Sequence, residues 1–180
     1  PRFLVPGMGF GGSCFPKDMK ALVAASKAQG YPPRLLEAVL AQNESQYLQA
    51  IKLLDKELGN LKGKRIAILG LAFKGGTDDV RESRAIPMAR SLLEKGAKVV
   101  GYDPVANENF ARIVPDVILA GSLEEALHEA DGCILQAEWP EFSELRAEDF
   151  LEAMRTPVVV DGRRISDPTA MKGVRFRRIG

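Results

Sequence analysis

The sequence predicts an α/β protein in which a long central helical connector is followed by a Rossmann-like parallel-sheet domain. Two patterns carry this. From Lys64 onward short apolar runs alternate with amphipathic stretches, the signature of an open parallel sheet with helical crossovers. Before that, apolar residues recur at three- or four-residue spacing from Arg34 to Leu58, the period of one helix face. The chain of 180 residues and 19.6 kDa, 46% hydrophobic and 27% charged, can bury one real core and is too short for a large multidomain enzyme.

The elements follow in order. After a glycine-rich loop at residues 6–18, helix-compatible residues run from Lys17 to Gln29 and stop at Gly30, Pro32 and Pro33. Leu36, Leu40, Tyr47, Ile51, Leu54 and Leu58 then define a single helix over residues 34–58, about 24 residues and roughly 36 Å long. That length fits either an amphipathic core helix or a connector and dimerisation helix, and it favours the latter. Gly59 to Gly63 is the natural boundary between a helical region, 1–60, and the sheet domain, 61–180. Strands are expected at Arg65–Leu69, Lys98–Tyr102, Val117–Leu119, Cys133–Gln136, Pro157–Val160 and Arg175–Ile179. Helices are expected near Ser83–Lys95, Asn107–Ile113, Leu123–Glu129 and Ala147–Arg155.

Several classes are disfavoured. Lys plus Arg (25) against Asp plus Glu (24) gives a net charge of +1, so no overall basic field argues for nucleic acid or an acidic membrane, and any anion site must be local. No apolar stretch approaches a membrane span, and a soluble protein is expected. Cys14 and Cys133 sit in contexts too different for a disulfide framework, which makes a reducing, cytoplasmic setting the default. Neither cysteine has partners at metal-ligand spacing, so no metal is expected. The chain begins at Pro1 with an unusual motif almost at once, which reads as a piece whose amino-terminal part is missing.

Chemistry points first to Gly7–Asp18, GMGFGGSCFPKD. Its glycines let backbone approach a ligand closely, and Pro16 suits the first turn of the following helix. Cys14 thus precedes a helix amino terminus, with Lys17 one turn on, an arrangement that favours a thiolate nucleophile. A glycine-rich turn with a small buried cysteine stays open as the alternative. The only histidine, His128, lies in an acidic, exposed stretch, which argues against a cysteine–histidine hydrolase and leaves thiohemiacetal or thioester chemistry.

A second motif, Ile66–Ser83, ends a strand at Gly70 and carries Ala72 and Gly75 at the later glycine positions of a degenerate dinucleotide-type fingerprint. Lys74 and Arg81 add cations there, and Ser83 could cap the next helix. A tight turn with solvated charges is the competing reading. Asp103, before Pro104, occupies a ribose-binding position in such folds but fits an ordinary Asp-Pro turn better. The third candidate, Asp161–Arg164, follows a strand at the edge where open α/β sheets bind ligands, and Arg163 could hold carboxylate, phosphate or sugar oxygens; a surface turn is the alternative. Cys133 and Trp139 read as a packed strand cysteine and an amphipathic loop aromatic.

Taken together, GFGGSCFPKD (9–18), GLAFKGGTDDVRES (70–83), GYDP (101–104) and VDGRR (160–164) resemble the UDP-glucose/GDP-mannose dehydrogenase family, in family order and over essentially the whole chain. The resemblance is to the back half of the family, which in full carries an amino-terminal NAD-binding domain ahead of these segments. It implies oxidation of the C6 alcohol of UDP-glucose to the carboxylate of UDP-glucuronate by two hydride transfers to NAD. Cys14 would be the nucleophile and Asp18 would orient or activate water. Lys17 and Arg81 would contact NAD. Phe3, Leu4, Val5, Pro6, Gly7 and Gly11 would cradle the nucleotide-sugar, with Lys74 and Arg163 contacting it. The helix at 34–58 would form a homodimer core. GDP-mannose is the alternative substrate, and a non-catalytic nucleotide-binding or dimerisation module the alternative class. Without an NAD domain, this stretch alone is expected not to dehydrogenate.

Overall fold

The computed structural model describes residues 5–179. Its centre is a six-stranded sheet, all of whose neighbours are parallel: β1 (Arg65–Leu69), β2 (Lys98–Tyr102), β3 (Ile118–Leu119), β4 (Gly132–Leu135), β5 (Val158–Asp161) and β6 (Arg175–Arg178), in spatial order β3-β2-β1-β4-β5-β6. This is the doubly wound order, with its switch point between β1 and β4. The predicted fold class is therefore the observed one, and each strand lies within a residue of its expected position.

Central strands buried on both faces need apolar side chains along the buried run, and β1 from Ile66 and β4 from Cys133 have them. Successive residues alternate between layers. Ile66 and Ile68 pack with Ile51 and Leu54 of α3 (Leu48–Leu58), Met88 and Leu92 of α4 (Ala85–Glu94) and Phe110 of α5 (Asn107–Ala111). Ala67 and Leu69 face the other way, onto Leu127 of α6 (Leu123–Leu127), Phe142 of α7 (Pro140–Ser143) and Phe150 of α8 (Ala147–Ala153). The short α7, which the apolar periodicity did not reveal, is opened by Pro140 after an extended Trp139.

Ahead of the sheet, α1 (Phe15–Ala28) ends at Gly30, whose φ of +78° closes the turn. The single helix expected over 34–58 is a correction: the structure divides it into α2 (Arg34–Ser45) and α3, with a turn at Gln46–Tyr47. At the break, i→i+3 bonds from Gln49 to Gln46 and from Ala50 to Tyr47 appear, and Ser45 Oγ donates back to the Ala41 and Gln42 carbonyls, a habit that loosens helices. From Leu40 to Tyr47 the apolar face skips one turn but keeps its phase, seven residues on, so periodicity could not show the break. α3 lies on the sheet, and Leu61, in the link to β1, is itself buried in the same core.

Candidate active site

The carboxyl ends of β1, β4 and β5 open onto one edge, and buried acids shape it. Asp103, 2% exposed after β2, accepts the Leu71 and Ala72 N–H groups on Oδ2 (2.8 and 3.2 Å) and the Val105 and Ala106 N–H groups on Oδ1. One oxygen thus holds the loop after β1 and the other the turn after β2, in keeping with a structural turn. Asp161, fully buried at the end of β5, accepts from Arg163 N (2.8 Å), Arg164 N (2.7 Å) and Ser166 N (3.1 Å). The turn it builds aims Arg163 back across the sheet edge. There Arg163 Nε donates to the Gln136 carbonyl (2.6 Å) and Nη2 to the Phe73 carbonyl (2.9 Å), and Glu138 lies 3.4 Å from Nε. Burial lowers the guanidinium's affinity for its proton, partly offset by Glu138. Arg163 thus joins the ends of β1, β4 and β5.

The segment after β1 differs from a dinucleotide turn, because α4 begins only at Ala85 and no helix amino terminus follows Gly70 directly. Gly70 and Gly75 are needed for close packing: a Cβ on Gly70 would fall 2.5 Å from Ala137 Cβ, and one on Gly75 would overlap the Glu138 carbonyl oxygen. Ser83 does not cap α4 in the expected manner. The N-cap is Arg84, and buried Ser83 Oγ donates to the Leu71 carbonyl (2.7 Å) while accepting from Ala85 N and Gln136 Nε2 (both 3.2 Å). Lys74 is exposed, its Nζ 5.5 Å from the Phe73 ring centroid. Arg81 is exposed and paired bidentately with Asp79, which holds the Asp79 carboxyl below its ordinary range and the guanidinium firmly charged; Cys14 adds a smaller attraction to Arg81.

The cysteine loop docks on this segment by its backbone. Gly12 N donates to the Arg81 carbonyl (2.9 Å), and Gly11 approaches the Glu82 carbonyl so closely that no side chain fits. Glu82 is held at φ +53°, a left-handed conformation that costs an ordinary residue about 1–2 kcal/mol. Buried Arg84 braces it through two bonds to its carbonyl (3.1 and 3.2 Å) and one to its carboxylate (3.0 Å). Gly7 lies against the β5 turn, where a Cβ would sit 3.2 Å from the Gly162 carbonyl and 3.5 Å from Arg163 Nη1, and Met8 is fully buried beside Gly162. Cys14 itself is exposed at the opening of α1, with Ser13 Oγ 3.7 Å from Sγ. Lys17 and Asp18, also exposed, form an ion pair at 3.2 Å, and Asp18 N closes the first turn of α1 on the Cys14 carbonyl. Beside the thiol loop a cavity of about 550 Å³ is lined by Gly12, Ser13, Lys17, Lys20, Arg81 and Glu82.

Of the expected site residues, Lys17 and Arg81 line this cleft, Gly11 docks beside it on Glu82, Cys14 and Asp18 adjoin its lining residues Ser13 and Lys17 in sequence, and Gly7 lies against Arg163. Lys74 lies on the neighbouring β1 loop, and Val5 and Pro6 are exposed at the start of the described chain. Phe3 and Leu4 lie outside the described residues. His128 is exposed at the end of α6, and Cys133 is fully buried, its thiol pushed far up by desolvation. Among the described residues no group of three or more His, Cys, Asp or Glu side chains could hold a metal, and no helix is long and apolar enough to cross a membrane. Sequence reasoning missed Asn43 of α2 and Gln46 at its end, which hold the thiol loop from behind.

Residues 67–168 match the UDP-binding domain of the UDP-glucose/GDP-mannose dehydrogenase family, and residues 1–45 match its central domain. The chain belongs to this family. UDP-glucose 6-dehydrogenase AglM of Haloferax volcanii is 52% identical over 163 residues, 91% of this chain and 37% of that protein. A solved UDP-glucose dehydrogenase from Pyrobaculum islandicum is similar over 97% of this chain and 38% of its own, with a TM-score of 0.83 at 38% identity. GDP-mannose dehydrogenase of Pseudomonas aeruginosa shares the fold at a TM-score of 0.79 and 26% identity, over 98% of this chain and 41% of that one. The chain spans about two fifths of the length of the curated relatives it matches.

Proposed function

We propose that this chain is the central and nucleotide-sugar-binding part of an NAD-dependent UDP-glucose 6-dehydrogenase that oxidises UDP-glucose to UDP-glucuronate. One observation carries the reading. The exposed Cys14 loop is docked by backbone onto the strand-end loops that present Lys74, Arg81 and Arg163, so a thiol and three cations share the binding edge of a doubly wound sheet. The 52% identity to a UDP-glucose 6-dehydrogenase favours UDP-glucose over GDP-mannose.

In this reading Gly7 and Arg163 hold the sugar, Lys74 the diphosphate side, and Gly11 lets the loop pass close to the ligand. Lys17 and Arg81, cationic and exposed at the 550 Å³ cleft, form a donor set suited to a dinucleotide diphosphate, and would hold NAD. When bound, NAD supplies the acceptor for each of two hydrides. Loss of the first hydride and a proton from the C6 alcohol leaves an aldehyde. The Cys14 thiolate adds to the aldehyde carbon, forming a C–S bond, and the oxygen takes a proton to give a thiohemiacetal. Loss of that proton and the second hydride leaves a thioester. Water oriented by Asp18 adds to the thioester carbonyl, the C–S bond breaks, and the thiolate returns with release of the carboxylate. Val5 and Pro6, with Phe3 and Leu4 before them, continue the cradle for the nucleotide-sugar, and residues 34–58 contribute to a homodimer.

The thiol step is tested on this chain alone with the UDP-glucose 6-aldehyde. Preincubation should protect Cys14 from iodoacetamide, read by mass spectrometry, and protection should vanish in Arg163→Ala. Equal alkylation with and without the aldehyde would overturn the assignment of Cys14.

A further inference from the structure

We infer that Asn43, assisted by Gln46, is a positioning residue that sets where the Cys14 loop sits against the β5 turn, and so governs affinity for the nucleotide-sugar; this consequence rests on the reading proposed above. Asn43 is 5% exposed on α2, far in sequence from the residues it serves. Its Oδ1 accepts the Phe10 N–H at 2.7 Å and its Nδ2 donates to the Phe10 carbonyl at 3.0 Å, so one side-chain amide meets both polar groups of one loop residue, as a neighbouring strand would. Gln46 Nε2 donates to the Gly7 carbonyl at 3.0 Å, and Gln42 Nε2 donates to Gln46 Oε1 at 2.8 Å, which fixes the direction of the Gln46 amide.

The loop is shaped to receive this clamp. Gly9 stands at φ +103°, and a Cβ there would come 2.5 Å from Asn43 Oδ1, so the residue between the clamped positions has no room for a side chain. Met8 points the other way, fully buried against Gly162, and a Cβ on Gly162 would lie 2.5 Å from its Sδ. The segment 7–10 is therefore pinned between α2 on one side and the Gly162–Arg163 turn on the other. The break between α2 and α3 falls at Gln46 itself, where the second clamp residue leaves the regular helix. Both clamps grip the backbone that leads from Gly7, at the Arg163 turn, to the thiol at Cys14.

The test compares Asn43→Ala with Leu54→Val, a core substitution on α3 away from the site. Melting temperature, deuterium uptake at the Phe10 amide, and calorimetric affinity for UDP-glucose are measured for both and for the wild-type chain. Asn43→Ala should lose protection at Phe10 and bind UDP-glucose about thirtyfold more weakly, the equivalent of two ordinary hydrogen bonds. Leu54→Val should melt lower yet keep its affinity within about twofold. If Asn43→Ala binds as the wild type does, or if both variants weaken binding alike, Asn43 is structural and the inference fails. If the wild type takes up no UDP-glucose, the nucleotide-sugar reading fails instead, and the clamp is judged on exchange: unchanged protection at Phe10 overturns it, and lost protection upholds the clamp without its ligand.

Discussion

Asp161 is the residue on which the proposed sugar site depends most directly, and its replacement has a calculable cost. Its two oxygens accept three backbone N–H groups, from Arg163, Arg164 and Ser166, at 2.7 to 3.1 Å, and the carboxylate is wholly buried. A hydrogen bond to a charged group contributes about 1.5–3 kcal/mol, and an orphaned buried donor costs about 1–3 kcal/mol. These do not add fully within one network, so Asp161→Ala should cost about 3–5 kcal/mol. For a chain of this size each kcal/mol lowers the melting temperature by roughly 2–4 °C, which places the loss on the order of 10 °C. Asp161→Asn, which keeps one acceptor oxygen, should lose about half as much. Trp139 is the only tryptophan, and it packs in the core layer on this side of the sheet, so its fluorescence follows unfolding without a label. If Asp161→Ala melts within about 3 °C of the wild type, the turn does not depend on this carboxylate, and the account of how Arg163 is aimed is wrong.

Other outcomes follow from the same geometry. Gly75→Ala should destabilise by more than about 2 kcal/mol because its Cβ meets the Glu138 carbonyl, whereas Gly76→Ala, with open space but φ +75°, should cost only about 1–2 kcal/mol; urea titration of the pair separates the two causes. Iodoacetamide should modify Cys14 and leave the fully buried Cys133 untouched until the chain unfolds, which peptide mass spectrometry reads directly. Partial burial raises the Glu141 carboxyl above its usual 4.5, with the Asp103 and Glu124 charges adding to the rise and the Tyr102 hydrogen bond opposing it. The folded state then holds this proton more tightly than the unfolded state, so stability falls as pH rises from the ordinary value through the raised one. Glu141→Gln should flatten that decline, and parallel wild-type and variant stability curves between pH 4 and 7 would contradict it.

Much of this was legible in the sequence for physical reasons. Strands buried on both faces must be apolar at every position, so Ile66–Leu69 and Cys133–Leu135 announced themselves, and Gly30 and Gly59 marked helix ends. Cys14 beside Pro16 was legible as a loop thiol opening a helix. The break at Gln46–Tyr47 was not, because it arises from side-chain back-bonding by Ser45 while the apolar period continues through it. Nor were Asn43 and Gln46, whose partners lie more than thirty residues away: polar residues on a helix look solvated until the fold brings a loop to them. The glycines of the long loop after β1 fit either a phosphate-binding turn or a tight turn with solvated charges, and sequence left both open; the fold adds that Gly70 and Gly75 are small for packing against Ala137 and Glu138. The acids that organise the edge, Asp103 and Asp161, could be read as strand-end aspartates, but only the fold shows how many N–H groups each one satisfies.

The central claim is that this sheet edge binds UDP-glucose, and calorimetric titration of the chain with UDP-glucose and, separately, GDP-mannose tests it most directly. Lys74→Ala serves as the control, since Lys74 is exposed and its loss should leave the fold intact. The account predicts selective binding of UDP-glucose that this substitution weakens. Preference for GDP-mannose, or binding of UDP-glucose that is indifferent to Lys74, would contradict it.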